Sequence, residues 1–449
     1  MDTKKARLKI VMLIFFSAMG GMLYGYDIGV INSAFLFINN DIPMTTFETS
    51  LLGGSVLFGG AFAILLAGVI ADFIGRKNTL LLAGFIFIVS VWMIYESHDY
   101  QMLLLSRLVQ GVSVGFITVT APLYLTEVVP DNIRGVAVTC FQLFLTAGIL
   151  ISNYIGLLFE STGDWRAMFL TSLVPAVIFF VGSFFLLKSP RWLMMVNKEQ
   201  QARNLLVQTL GLEKAKEQIN QIKANIKKSK EEGNIWKNLH HRHYLGPIVL
   251  VFSIAILAQM TGINSILQFS ATMLKESGLG SNYVSILGGV TITAINFFAT
   301  LLAVFIADKL ERKFIITFGT FMVSASLIIT GLMLWMLPAG EFKGWVLLAG
   351  LISFIFFFAI GPGAYVWVIM SELLPNNIRS KALGTALFLN SMASAILASV
   401  FLPISYSLGT SSMFFICGGC TLVYCFIVFK FVPKTTGRSL EEIEQEFIK

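Results

Sequence analysis

Polar and apolar residues are segregated along this chain on the scale of whole helices. Runs such as IVMLIFFSAMGGMLYG, LLLAGFIFIVSVWMIY, MFLTSLVPAVIFFVGSFFLL and WVLLAGLISFIFFFAIGPG approach or reach the ~20 residues that carry a helix across a bilayer. The pattern predicts twelve spans, at about 9–38, 47–71, 79–96, 101–125, 135–158, 166–187, 245–274, 282–307, 314–336, 344–371, 380–401 and 412–432. The short alternating strands of a membrane barrel are absent. The first run follows MDTKKARLK with no small-residue cleavage pattern after it, so a retained helix is expected rather than a signal peptide. One long polar segment, 188–244, separates spans six and seven. It contains EKAKEQINQIKANIKKSKEEGN, with an apolar stripe of Leu205, Leu206, Leu210, Ile219 and Ile222. Amphipathic helices outside the membrane fit this pattern; a disordered linker is the alternative.

Two short polar motifs recur. TEVVPDNIRGVA starts at 126 and SELLPNNIRSKA at 371, while GVIADFIGRKNTL (68–80) is echoed by VFIADKLERKFII (304–316). Each pair follows the corresponding span of its half. The halves therefore read as parallel repeats of six spans, the arrangement of two helical bundles around a central cleft. The fold class expected is an all-α membrane protein of twelve transmembrane helices in two six-helix bundles. Its parts would be a bundle over 1–187, a helical linker over 188–244, a second bundle over 245–432 and a tail over 433–449.

Composition agrees with burial in lipid. Of 449 residues 56% are hydrophobic and 13% charged, against roughly 25% charged in soluble domains. The net charge of +7 is unevenly placed. Lys and Arg crowd the N-terminus, the tail, the 188–244 segment and the loops holding Arg76–Lys77, Arg134, Lys309–Arg312–Lys313 and Arg379–Lys381. The other loops have only Arg166, Lys275 and Lys343 at their edges. Positive residues stay on the cytoplasmic side, so both termini are expected there, in a multi-pass inner-membrane protein that meets anionic lipid and not nucleic acid. Cys140, Cys417, Cys420 and Cys425 fall in apolar spans and read as packing residues. His98, His240, His241 and His243 fall in expected loops. With no nucleophile–base or metal constellation, neither an enzyme nor a cofactor is expected.

Charges inside spans need a reason. Asp27 lies near the middle of span one, where a carboxylate costs ~2.5–3.5 kcal/mol on insertion scales, and Arg107 in span four is its natural partner. Close approach of Arg107 favours the ionised carboxylate; separation and desolvation favour the protonated one. A fixed structural ion pair is the plainer alternative. Helix-end charges in the repeated hairpins could pair across the two halves and hold one side shut in one state, or merely aid topology.

The whole series of motifs resembles the sugar porter branch of the major facilitator superfamily. It comprises Asp72, Gly75, Arg76 and Lys77; Glu127 with Arg134 and Glu372 with Arg379; SPRWL at 189–193; GINS at 262–265; GPGAYVW at 361–367; and GRSLEEIE at 437–444. The resemblance implies a monomeric carrier of a small neutral sugar or polyol working by alternating access. It implies a latch of Asp72, Arg76, Glu127, Arg134, Arg191, Asp308, Arg312, Glu372 and Arg379. In bacterial proton-coupled members the residues matching Asp27 and Arg107 are the protonation site and its partner. Substrate contacts are implied at Gln142, Gln259, Asn264, Asn296, Trp367 and Asn390, with Gln268 one turn beyond Asn264 on the same face. Amides both donate and accept, which suits hydroxyls. Gln259 and Asn264 are five apart and converge only if the helix unwinds, for which Gly262 is suited; Pro362 between Gly361 and Gly363 should break span ten. Departures from the family pattern are Lys188 and Lys434 in place of Glu, Glu311 in place of Gly, Ala258 in place of Gln, Gln268 in place of Tyr and Ala359 in place of the Glu of animal facilitators. A proton–monosaccharide symporter is the function expected, with an energy-independent facilitator and a sugar-binding membrane sensor as alternatives.

Overall fold

The computed structural model describes residues 3–130, 133–210, 212–231, 242–306, 310–375, 378–435 and 442. Asp308, Lys309, His240, His241 and nearly all of the 437–444 motif lie outside the described residues. Among the described residues twelve spans are long and apolar enough to cross a membrane: Ile10–Asp41, Thr46–Ile74, Arg76–Tyr95, Tyr100–Val128, Arg134–Leu158, Trp165–Phe184, Leu245–Leu279, Asn282–Ile306, Arg312–Met336, Glu341–Leu373, Lys381–Leu408 and Thr410–Phe431. They are numbered one to twelve below. Span seven breaks at Gly262 (φ 85°) and span ten at Gly361, as their sequences anticipate. His243, expected in a loop, lies in the first turn of the helix Arg242–Met260, because helix formation begins ahead of the apolar run.

Span eleven runs to Leu408, several residues past its expected end, with Pro403 inside it. Proline removes a backbone donor and crowds the carbonyl a turn earlier, so it reads in the sequence as a stop. Beside the proline the helix is tied to another span. The Ser50 hydroxyl donates to the Ala398 carbonyl at 2.9 Å and accepts from the Leu402 N–H at 3.1 Å, in the turn just before Pro403. Neighbouring helices and hydroxyl side chains of this kind are what make a proline tolerable inside a membrane helix.

The linker forms helices Pro190–Met195, Glu199–Leu210 and Leu212–Glu231. Leu206, Ala215 and Ile219 are buried together with Ile222 against them, so the expected stripe is the packing seam; the Leu210 side chain lies outside the described residues. SPRWL has a local role. Ser189 caps the short helix by accepting from the Trp192 N–H at 3.1 Å, and the Trp192 ring covers Gly75 while its Nε1 donates to the Asp72 carbonyl at 3.0 Å.

Spans one and five approach to backbone contact along a stripe of glycines spaced by four. A Cβ on Gly21 would lie 2.3 Å from the Phe141 carbonyl oxygen, and one on Gly25 1.8 Å from that of Leu145. Gly148 returns the contact against the Met22 carbonyl. Small residues at such spacing drive helix pairing where lipid supplies no hydrophobic force.

The two ends of the bundle pair differ. At the face opposite the termini, one apolar cluster crosses both halves, joining Phe35, Ile38 and Ile42 of span one to Phe269, Met273 and Leu274 of span seven and Phe401 of span eleven. Phe35 stacks on Phe269 (5.2 Å) and Phe269 on Phe401 (5.7 Å). Asn32 adds a polar tie between halves: its Oδ1 accepts from the Ala271 N–H at 2.9 Å and its Nδ2 donates to Asn153 at 2.8 Å. Towards the termini the core divides, one cluster wholly within spans one to six and its boundary, the other wholly within spans seven to twelve. The buried apolar core is continuous between the halves at the far face and divided between them at the terminal face.

Ser50 belongs to the closed seam. Ser50→Ala should cost about 1–2 kcal/mol there, because the Ala398 carbonyl and the Leu402 N–H lose their bonds to span two. A cysteine placed at the buried Ala395 in a background lacking the native cysteines should then label about five- to thirtyfold faster. An unchanged labelling rate would show that the hydroxyl does not hold the seam.

Candidate functional site

Asp27 and Arg107 meet inside the first bundle. Their side chains are 2% and 0% exposed and form an ion pair through Arg107 Nη1 and Asp27 Oδ1. The guanidinium lies over the Phe169 ring, 5.4 Å from its centroid. The same Nη1 donates to Gln110 Oε1 at 2.8 Å. Two ions this deep are held only by mutual pairing, since loss of one partner strands the other.

The second bundle supplies an amide network. Gln259 Nε2 donates to Asn390 Oδ1 at 3.1 Å, and Asn264 Nδ2 donates to Gln259 Oε1 at 3.0 Å and to Ser394 Oγ at 2.8 Å. The turn at Gly262 brings Gln259 and Asn264, five residues apart, into contact. Asn264 and Gln259 remain half-buried, so their amides are within reach of the cleft. Asn296 and Asn390 are buried, Gln142 half-buried and Trp367 37% exposed. Among the described residues Gln142, Asn296 and Trp367 make no side-chain hydrogen bond to this network; the structure connects Gln259, Asn264 and Asn390 and leaves the others as separate positions. Gln268 stands apart from this network. It is 1% exposed and turned against span two, its Oε1 3.2 Å from where a Gly53 Cβ would stand, with no hydrogen-bond partner. The i, i+4 spacing with Asn264 holds, but the closed seam covers it.

The helix-end charges pair within halves. Arg76 binds Glu127 through Nε (2.8 Å) and Nη2 (3.0 Å) and Asp72 through Nη1 (2.7 Å), and Ser189 donates to Glu127 Oε2, the oxygen that also faces Arg76 Nε. Arg312 pairs with Glu372. Arg379 donates to the Leu374 carbonyl at 2.9 and 3.2 Å, Arg134 opens span five half-buried, and Arg191 is exposed. Each of these carboxylate pairs lies within one half of the protein. Two departures from the family pattern meet each other, Lys434 Nζ lying 4.0 Å from Glu311 Oε2.

A family model described as "Sugar (and other) transporter" matches residues 13–447. The chain belongs to that family. The transporter is 35% identical over 438 residues to the glucose transporter GlcP of Staphylococcus epidermidis, covering 97% of this chain and 96% of that protein. It is 28% identical to the galactose-proton symporter of Escherichia coli (strain K12), covering 97% and 94%. Among solved structures, the inward open conformation of the xylose transporter XylE from E. coli superposes with a TM-score of 0.83 at 25% identity, covering 97% of this chain and 99% of that one. The transporter therefore has the major facilitator fold. Sequence reasoning missed Gln110, Ser394, Asn32, Asn153 and Ser50. Gln110 and Ser394 carry a signal, being polar residues one turn from Arg107 and Asn390 in apolar spans. Asn32 and Asn153 are lone amides whose partners lie on other spans, and Ser50 carries no signal.

Proposed function

We propose that the transporter imports a monosaccharide or cyclic polyol together with protons by alternating access, with both termini on the cytoplasmic side. The buried Asp27–Arg107 pair carries this reading: a carboxylate at that depth can change charge only by exchanging a proton, and its one ionic partner sits on another span. Neutral amides in the second bundle, with no charged group bonded to them among the described residues, suit a hydroxylated uncharged cargo. The names of relatives that carry glucose, or galactose with protons, support the same class. Orientation rests on the basic loops at the terminal face, and the bundle limits proposed are 1–187 and 245–432. The latch residues would meet across the halves only when the terminal face closes.

The test is uptake of labelled monosaccharides and polyols into proteoliposomes, with and without an inward proton gradient. Accumulation of at least one compound that collapses with a protonophore is expected; equilibration with no accumulation of any would defeat the symport reading. For the pocket, Gln259→Ala, Asn264→Ala and Asn390→Ala should each weaken binding of that compound by about 1–2 kcal/mol. Their pairs should be less than additive, because the three amides share bonds. Binding calorimetry on purified protein checks this, and parent-like affinity in all three would move the site elsewhere.

A further inference from the structure

We propose that Gln110 is a positioning residue for proton coupling: it is the alternate acceptor that holds Arg107 when Asp27 is neutral. The proposal rests on the symport reading above. Gln110 is 1% exposed and sits one helical turn from Arg107 on span four, its Oε1 2.8 Å from Arg107 Nη1. That nitrogen is shared between Asp27 and Gln110. Arg107 Nε and Nη2 are buried and have no hydrogen-bond partner among the described residues. The guanidinium thus depends on two acceptors, one that can lose its charge and one that cannot.

The surroundings contain little else. Span one adds Tyr24, an uncharged phenol three residues from Asp27, and Tyr26, whose hydroxyl is engaged with Thr171 and the Met168 carbonyl of span six. Span six adds the Phe169 ring. Among the described residues neither Asp27 nor Arg107 has a second ion-pair partner. When Asp27 takes up one proton, its carboxylate becomes a neutral acid, Arg107 keeps its charge, and the site goes from net zero to one positive charge. The attraction between the two groups drops at that moment. A cation left with no acceptor at this depth would oppose the protonation itself. The Gln110 carbonyl oxygen keeps one charge-assisted bond in place, so Arg107 can release Asp27 without being stranded, and the proton-loaded state becomes accessible at higher pH.

The experiment compares the parent, Gln110→Met and Gln110→Glu in proteoliposomes. Labelled D-glucose, D-galactose, D-xylose and myo-inositol are assayed separately, and gradient-driven uptake is measured against external pH. Gln110→Met keeps the volume and removes the acceptor; its half-maximal uptake should move about one unit to the acid side, the scale of one lost bond to a charged group. Gln110→Glu supplies a second carboxylate to the same cation, so one proton is accepted more readily and the profile should move to the alkaline side. Sugar counterflow at saturating acid pH should stay within about twofold of the parent in both. A purely structural role would change rates without moving the two midpoints in opposite senses. An unmoved midpoint in Gln110→Met, or shifts of both variants in one direction, overturns the proposal. If Gln110→Met does not yield folded protein, the direction of the Gln110→Glu shift decides alone. A parent whose uptake ignores pH and gradient would instead show that the symport reading failed.

Discussion

Asp27→Asn should abolish accumulation and leave exchange intact. Asparagine fills the same space and still accepts from Arg107, but it can never carry or release a proton. Each unit of pH gradient can drive about a tenfold sugar gradient in a one-proton carrier, since a unit of pH is worth ~1.4 kcal/mol. The variant's accumulation ratio should therefore fall to near one whatever the gradient, and its uptake should become nearly independent of pH. Binding and sugar–sugar counterflow need no net proton movement and should persist. Arg107→Ala should uncouple as well, with more collateral damage, because it leaves a buried carboxylate without its only ionic partner. Counterflow and gradient-driven uptake on the same vesicles separate these outcomes. If Asp27→Asn still concentrates sugar, the coupling proton resides on another group.

Gly25→Ala should be far more damaging than its single methyl suggests. The added Cβ would lie 1.8 Å from the Leu145 carbonyl oxygen and 3.1 Å from the Ile149 nitrogen, both backbone atoms that cannot rotate aside. Spans one and five must then separate, and Gly21 and Gly29 lose the close fit they share with span five. Overpacking of a rigid core costs ~1–3 kcal/mol and more where backbone must shift. Because Asp27 is two residues away, the ion pair should be disturbed along with the fold. Gly68→Ala is the control. Nothing lies within 4 Å of its added methyl, and alanine favours helix over glycine by about 1 kcal/mol. Thermal unfolding of purified protein, read by size-exclusion fluorescence, should show a large drop for Gly25→Ala and none for Gly68→Ala. Equal stability in the two would mean that the one–five interface is looser than its geometry implies.

The spans and their pairing into halves were legible because apolar length and repeated hairpins are local or periodic signals. Asp27 and Arg107 stood out because a charge in an apolar run demands a partner. The breaks at Gly262 and Gly361 were readable from residue type, and with them the convergence of Gln259 and Asn264. What was not readable depends on contacts between distant segments. Pro403 looks like an end because the contact that ties the turn before it, from Ser50, comes from span two. Gln268 looks like a pocket residue because its spacing from Asn264 is right, yet the closing of span two against span seven decides what it faces. The latch charges were legible as a set, whereas their partners depend on which face of the cleft is parted, a property of conformation that no residue pattern encodes.

Glu311 and Lys434 have a consequence for how this chain is aligned with its relatives. Compared letter by letter, each is an unfamiliar charge at a family position, one gained and one reversed, in motifs far apart in the chain. In space the new acid and the new base face each other at the end of the second bundle. They lie close enough to offset one another's charge at that surface. A chimera that takes its tail from a relative and its hairpin from this chain would place two acids side by side. Grafts across this family are therefore sounder when cut so that the 304–316 hairpin and the stretch after span twelve travel together.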